Sequence, residues 1–290
     1  MESRTTTARP SFLGLGGLHV LITGSTGGIG SEAVRELLGQ GCNVTAVDIR
    51  PVKEPSSLFY ANNLEYSVQL QTLEADISSE ASIKTAIETA AASRFGPINV
   101  LIANAGITDE LNHIPIWELP LEHWDRINNV NYRGTFLTIK HFLAAAKRAQ
   151  DDVGNGHQLE NLAIVVTGSE CGKFGQEGHV DYATGKAGLQ YGLVRTVKNE
   201  IIRLNSLARI NAVAPGWVNT PLIDGRLDDK FEAWAEAHST VALKKIAEPT
   251  DVARTMAFLA SHRAAGHISG QVLSVDGGMD GRLIFKHPDQ

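Results

Sequence analysis

The 290-residue chain has only two cysteines, Cys42 and Cys171. Two thiols cannot form a disulfide framework, and they point to a reducing compartment. No apolar run approaches the roughly 20 residues that cross a bilayer. The opening MESRTTTARPS is polar and lacks an apolar signal core, and KHPDQ at the end matches no address signal. A cytoplasmic protein is the expectation. Charge of one sign is not in large excess, since 26 basic and 32 acidic residues leave a net charge of -6. That balance speaks against nucleic acid or an anionic membrane as partner. The ten histidines show no HExxH or other ligand spacing, so no metal is expected. No Gly-Lys-Ser/Thr triphosphate loop is present either.

What is present is a regular alternation. HVLIT (19–23), NVTAV (43–47), NVLIAN (99–104), AIVVTG (163–168), RINAVA (209–214) and QVLSVD (271–276) read as buried strands. A weaker strand lies near 67–76. Helical patterns occupy 28–40, 79–94, 121–150, 182–204 and 249–261. Strands separated by helices need crossover connections, so the fold class is α/β, a doubly wound parallel sheet covered on both faces. Residues 1–10 and 285–290 are expected to be tails around one domain, 11–284. Segments 51–67 and 149–161 carry turn residues and read as surface loops.

After the first strand comes TGSTGGIG, in which Gly24, Gly28 and Gly30 mark the turn into a helix. Glycines there let the backbone approach a pyrophosphate, whose charge suits the free N–H groups of a helix N-terminus. Asp48 ends the second strand, where a carboxylate can accept both adenosine ribose hydroxyls and repel a 2′-phosphate. NAD is therefore favoured. Arg50, two residues on, keeps NADP open, while Gly27 places no basic group inside the loop.

Tyr182 and Lys186 share one helical face at the head of an apolar stripe formed by Leu189, Leu193, Val197, Ile201 and Leu204. A free tyrosine, pKa ~10, ionises poorly at neutral pH, and a neighbouring lysine cation stabilises the phenolate. Ser169, 13 residues before Tyr182, can hold a substrate oxygen toward it. Thr167 competes for that role, because period-2 alternation points it the same way. Gly185, Gly188 and Gly192 are costly inside a helix and call for another backbone packed close, from a subunit helix or from the cofactor-bearing loops.

TGxxxGIG resembles the opening motif of the short-chain dehydrogenase/reductase family, and the resemblance spans about residues 18 to 280. Asp76 and Ile77 in EADIS, Asn104-Ala105-Gly106, VNYRG at 130–134, PGWVNTP at 215–221 and ISGQVLSVDGG follow in the family's order. The resemblance implies reversible oxidation of a secondary alcohol to a ketone with NAD(P), on a sheet ordered 3-2-1-4-5-6-7. It assigns cofactor contacts to Gly24, Ser25, Thr26, Gly28, Ile29, Gly30, Asp48, Asp76, Ile77, Asn104, Ala105, Gly106, Pro215, Gly216, Val218 and Thr220. It makes Tyr182 the acid/base, gives Lys186 the nicotinamide ribose as well, and lets Asn131 hold a water linked to the lysine. Asn128 and Asn129 are close decoys for Asn131. The family carries a second small hydroxyl residue where this chain has Gly168. A homodimer or homotetramer is also implied.

Glu170, Cys171, His179 and His113 are candidates to border the substrate cleft, with Cys171 read as a filler and both histidines as surface residues. Lys244 and Lys245 read as a solvated loop face. Residues 217–246 supply Trp217, Leu222, Ile223, Phe231, Trp234 and Leu243, enough apolar surface to cover a bulky lipophilic substrate. Two rivals stay open: an NADPH-dependent carbonyl reductase, and a dinucleotide-binding sensor or scaffold without catalysis.

Overall fold

Val, Ile and Leu fill both faces of the central strands, so those strands can persist only between covering helices. The computed structural model describes residues 11–52, 54–60, 64–109, 114–153, 159–221 and 239–280. It contains one seven-stranded parallel sheet, ordered β3-β2-β1-β4-β5-β6-β7. The strands are β1 (His19–Thr23), β2 (Asn43–Asp48), β3 (Leu70–Glu74), β4 (Val100–Ala103), β5 (Ala163–Thr167), β6 (Arg209–Pro215) and β7 (Val272–Val275). Order reverses between β1 and β4, which opens a crevice beyond their carboxyl ends.

Two apolar layers cover the sheet. On one face α1 (Gly28–Gly39) and the helix Pro249–Ala260 pack on Val20, Ile22, Val44, Val100 and Val165. On the other, α2 (Glu80–Ala91) and a long helical run pack on Leu21, Leu101, Ile164 and Ile210. That long helix runs as α3 (Leu121–Asn128), a π turn (Asn129–Gly134) and α4 (Thr135–Val153). After β5 come a short α5 (Cys171–Phe174), then α6 (Val180–Ala187), a second π turn (Gly188–Leu193) and α7 (Val194–Ile201).

Two expectations change. QVLSVD is not fully buried: β7 is an edge strand, and Leu273 is 40% exposed because only β6 adjoins it. The segment after β2 is more than a surface loop. It forms helical turns at Ser56–Tyr60 and Leu64–Val68, buries Phe59, and its Leu58 carbonyl accepts from Arg35. No helix among the described residues is long and apolar enough to cross a membrane. Both tails, His113, Leu222, Ile223, Phe231 and Trp234 lie outside the described residues.

Candidate active site

The glycine turn is built by close approach. Gly24 adopts φ +67°, and a side chain there would meet the Ala105 Cα at 2.7 Å. A Cβ at Gly30 would run into the Gly24 carbonyl, and one at Gly28 would lie 2.7 Å from Thr220 Cγ2. Asn104 locks this arrangement. Its Nδ2 donates to the Thr23 and Gly24 carbonyls, and its Oδ1 accepts from Thr167 Oγ1 at 3.0 Å. The loops after β1, β4 and β6 thus meet over the start of α1.

This cradle fits a dinucleotide pyrophosphate. No side chain caps α1, no acidic residue lies in its first turn, and the buried Ser25 hydroxyl has no hydrogen-bond partner among the described residues. Free first-turn amides carry partial positive charge suited to an anion. Buried Asp48 accepts from Thr26 N at 2.9 Å and from Arg50 N at 3.0 Å, fixing its carboxylate beside the turn. Arg50 lies over it, with Nε 3.6 Å from Asp48 Oδ1 and a terminal nitrogen donating to Thr26 Oγ1. Asp76 accepts from the Ser78 amide and hydroxyl, while Ile77 packs against Gly134. Ile29 packs partly buried against the core. Pro215 ends β6, Gly216 abuts Asp276, and Val218 is buried and bridged to Ala247.

Across the crevice, Lys186 is buried and donates from Nζ to the Thr167 carbonyl at 2.8 Å. Burial lowers its pKa to about 8. Its Nζ lies 5.5 Å from the centre of the half-buried Tyr182 ring. Asn131 is fully buried in the first π turn. Its Oδ1 accepts from Ile107 N and its Nδ2 donates to the Ile107 carbonyl, both at 2.7 Å. A Cβ at Gly106 would lie 3.2 Å from Asn131 Oδ1 and 3.4 Å from Lys186 Nζ, so the three meet at one point. The decoy Asn128 instead donates back to the Trp124 carbonyl.

Thr167 and Ser169 diverge in what they touch. The Thr167 hydroxyl is spent on Asn104, whereas Ser169 Oγ donates to Glu170 Oε2 at 2.7 Å and accepts from Cys171 N at 3.2 Å. Burial holds the Glu170 carboxyl above the usual carboxylate range. Glu170 and Cys171 line a cleft with Phe174, Gln176, Trp217 and Met279. Cys171 is buried and donates to Gln176 Oε1 at 2.8 Å. Leu243 and both Lys244 and Lys245 are exposed. His179 is not a surface residue: it is 2% exposed at the head of α6.

Three features escape motif reading. Gln190, in the second π turn, is fully buried and its Oε1 accepts from Ser169 N at 3.0 Å. A Cβ at Gly168 would lie 2.7 Å from Gln190 Cδ, so this side chain fills the space that a second hydroxyl residue would need. The available signal was one polar residue buried between Leu189 and Leu193. Second, Gly185 and Gly188 admit Asn128 and the Tyr132 ring from the same chain, while a Cβ at Gly192 would meet nothing within 4 Å. Neither cofactor loops nor a second subunit is needed to explain the first two. Third, His123 Nδ1 lies 2.9 Å from the buried Asp181, beside Tyr182, and its Nε2 lies 3.4 Å from Asp109.

Comparison with known proteins agrees with this geometry. Residues 24–280 match the family model described as enoyl-(acyl carrier protein) reductase. The chain belongs to the short-chain dehydrogenase/reductases. It is 32% identical over 265 residues to 3-oxoacyl-(acyl-carrier-protein) reductase FabG of Thermotoga maritima, covering 91% of this chain and 98% of that one. It is 33% identical to cis-4-hydroxycyclohexanecarboxylate dehydrogenase of Sinomonas cyclohexanicum, over 89% of this chain and 94% of the relative. The crystal structure of levodione reductase superposes with a TM-score of 0.78 at 27% identity, covering 91% and 98% of the two chains. As a member of the family the protein is an oxidoreductase acting on CH–OH or C=O groups with NAD or NADP.

Proposed function

We propose that this short-chain dehydrogenase/reductase interconverts a secondary alcohol and a ketone with NAD, on a small molecule with an apolar body. The meeting of Lys186, Asn131 and Gly106 at one point, with the Tyr182 ring beside Lys186 and the uncapped start of α1 across the crevice, carries the reading. Bound NAD supplies the hydride acceptor, or donor in reverse. The Tyr182 hydroxyl takes the alcohol proton as the ketone forms and returns it in reduction. Lys186 favours the phenolate through its charge and holds the nicotinamide ribose hydroxyls. Ser169 orients the substrate oxygen toward Tyr182. Ile107 engages both amide atoms of Asn131 and fixes it beside Gly106 and Lys186, where it supports the water linked to the lysine. Phe174, Trp217 and Met279 line the cleft and favour an apolar substrate body.

Asp48 supports NAD, since its buried carboxylate stands where a 2′-phosphate would place further negative charge. The reading with NADPH rests on Arg50, an exposed cation 3.6 Å from that carboxylate. Equilibrium titration with NADH and NADPH separates the two. Tighter NADH binding, with discrimination relaxed by Asp48→Ala, supports NAD; tighter NADPH binding in the unaltered protein overturns it.

A further inference from the structure

Ser169 has one hydroxyl proton, and in this structure that proton points into Glu170. Its oxygen already accepts from Cys171 N, so Ser169 has no donor left for a substrate oxygen. A second donor at Glu170 would free Ser169 to turn. Among the described residues the Glu170 carboxyl is met by the Ser169 hydroxyl, by the Cys171 thiol at 3.5 Å and by the main-chain N–H groups of Cys171 and Glu170, and by no cation. Glu170 nonetheless lines the cleft that Phe174, Trp217 and Met279 enclose. A carboxylate facing a cleft without a cation is built to accept a hydrogen bond from whatever enters.

Resting on the proposed alcohol/ketone chemistry, we infer that Glu170 is a specificity-determining residue that reads a second hydroxyl on the carbon next to the reacting one. The preferred substrates are then vicinal diols and α-hydroxy ketones. The spacing suits this pair. Ser169 Oγ and Glu170 Oε2 lie 2.7 Å apart, so they can meet two adjacent substrate oxygens that are themselves about as close as hydrogen-bonded oxygens, ~2.8 Å. The substrate's second hydroxyl donates to Glu170, and Ser169, released, donates to the reacting oxygen. Glu177 lines the same cleft, and no Lys, Arg or His does so among the described residues. Among the described residues a carboxylate next to the reacting carbon would face Glu170 and Glu177 with no cation lining the cleft, so hydroxy acids of that shape are disfavoured.

The test compares oxidation of cis- and trans-cyclohexane-1,2-diol with cyclohexanol, 2-hydroxycyclohexanecarboxylate and 2-aminocyclohexanol, in the unaltered protein, Glu170→Gln and Glu170→Ala. The readout is the ratio of kcat/KM between substrates within each protein, with NADH affinity checked for each variant as a measure of intact folding. The unaltered protein should favour at least one diol over cyclohexanol by tenfold or more and reject the hydroxy acid. Glu170→Ala should bring the diol-to-cyclohexanol ratio close to one, and Glu170→Gln, which retains a neutral acceptor, should fall between. Cyclohexanol or the hydroxy acid turned over as well as the diols overturns the inference. So does an amino alcohol preferred to both diols, or a diol preference that survives Glu170→Ala. The chemistry itself is checked separately by Tyr182→Phe, whose steep loss of turnover on every substrate with NADH binding retained distinguishes failure at Glu170 from failure of the oxidoreductase reading.

Discussion

Gly168 and Gln190 should behave as one unit. Placing a methyl at Gly168 puts carbon 2.7 Å from Gln190 Cδ and 2.8 Å from Cγ, well inside the ~3.5–4.0 Å at which carbons rest. Gly168→Ala overpacks a buried site and should cost about 1–3 kcal/mol. Gln190→Ala removes the acceptor of the buried Ser169 N–H and leaves a cavity, together about 2–4 kcal/mol. Part of this is offset because Gln190 Nε2 is buried without a partner among the described residues. In the double variant the new methyl enters space that Gln190 has vacated, so the overpacking cost disappears. Urea unfolding of the four proteins should therefore give a double variant more stable than additivity requires by about 1–3 kcal/mol. Both single variants should also lower kcat/KM, since each displaces the backbone that carries Ser169. Additivity within about 0.5 kcal/mol would refute the packing of Gln190 against Gly168.

Three further outcomes follow from the same geometry. Gly30→Ala forces a methyl into the Gly24 carbonyl and should abolish saturable NADH binding by fluorescence titration while leaving a folded circular dichroism spectrum. Lys186 has a folded pKa lowered by burial to about 8 against an ordinary 10.5, so between those values the unfolded chain holds the proton more often. Stability of the protein without cofactor should then rise with pH across that window, by up to about 3 kcal/mol relative to Lys186→Met, and a difference that is flat or falls with pH contradicts the buried, desolvated ammonium. His123→Ala removes the partner of buried Asp181 beside Tyr182 and should lower thermal stability as well as kcat; an unchanged melting temperature would show that the His123–Asp181 contact bears no weight.

Much of the architecture was legible because it depends on local pattern. Continuous Val and Ile runs bounded by Gly, Asn or Pro mark buried parallel strands, and the observed strand limits differ from the expected ones by a few residues. The glycine turn and Tyr182–Lys186 were legible because backbone approach and helical spacing are written in consecutive residues. What sequence spacing could not carry was contact between distant segments. Gln190, in the π turn Gly188–Leu193, reaches Gly168 across 22 positions of sequence, and the Thr167 hydroxyl's bond to Asn104 across the sheet adds a contact to the spacing that already favoured Ser169. Leu273 looked like core because strand composition does not reveal which strand is an edge. His179 looked like surface because a polar residue at a helix head usually is, yet the fold buries it.

The most direct test of the chemistry is turnover by Tyr182→Phe, which keeps the ring beside Lys186 and removes only the hydroxyl. Steady-state formation of NADH from an alcohol that the unaltered protein oxidises should fall by about 10²–10⁴-fold, the usual contribution of a positioned acid or base, with NAD affinity unchanged. Full turnover in that variant, with cofactor bound normally, would show that the proton passes through another group.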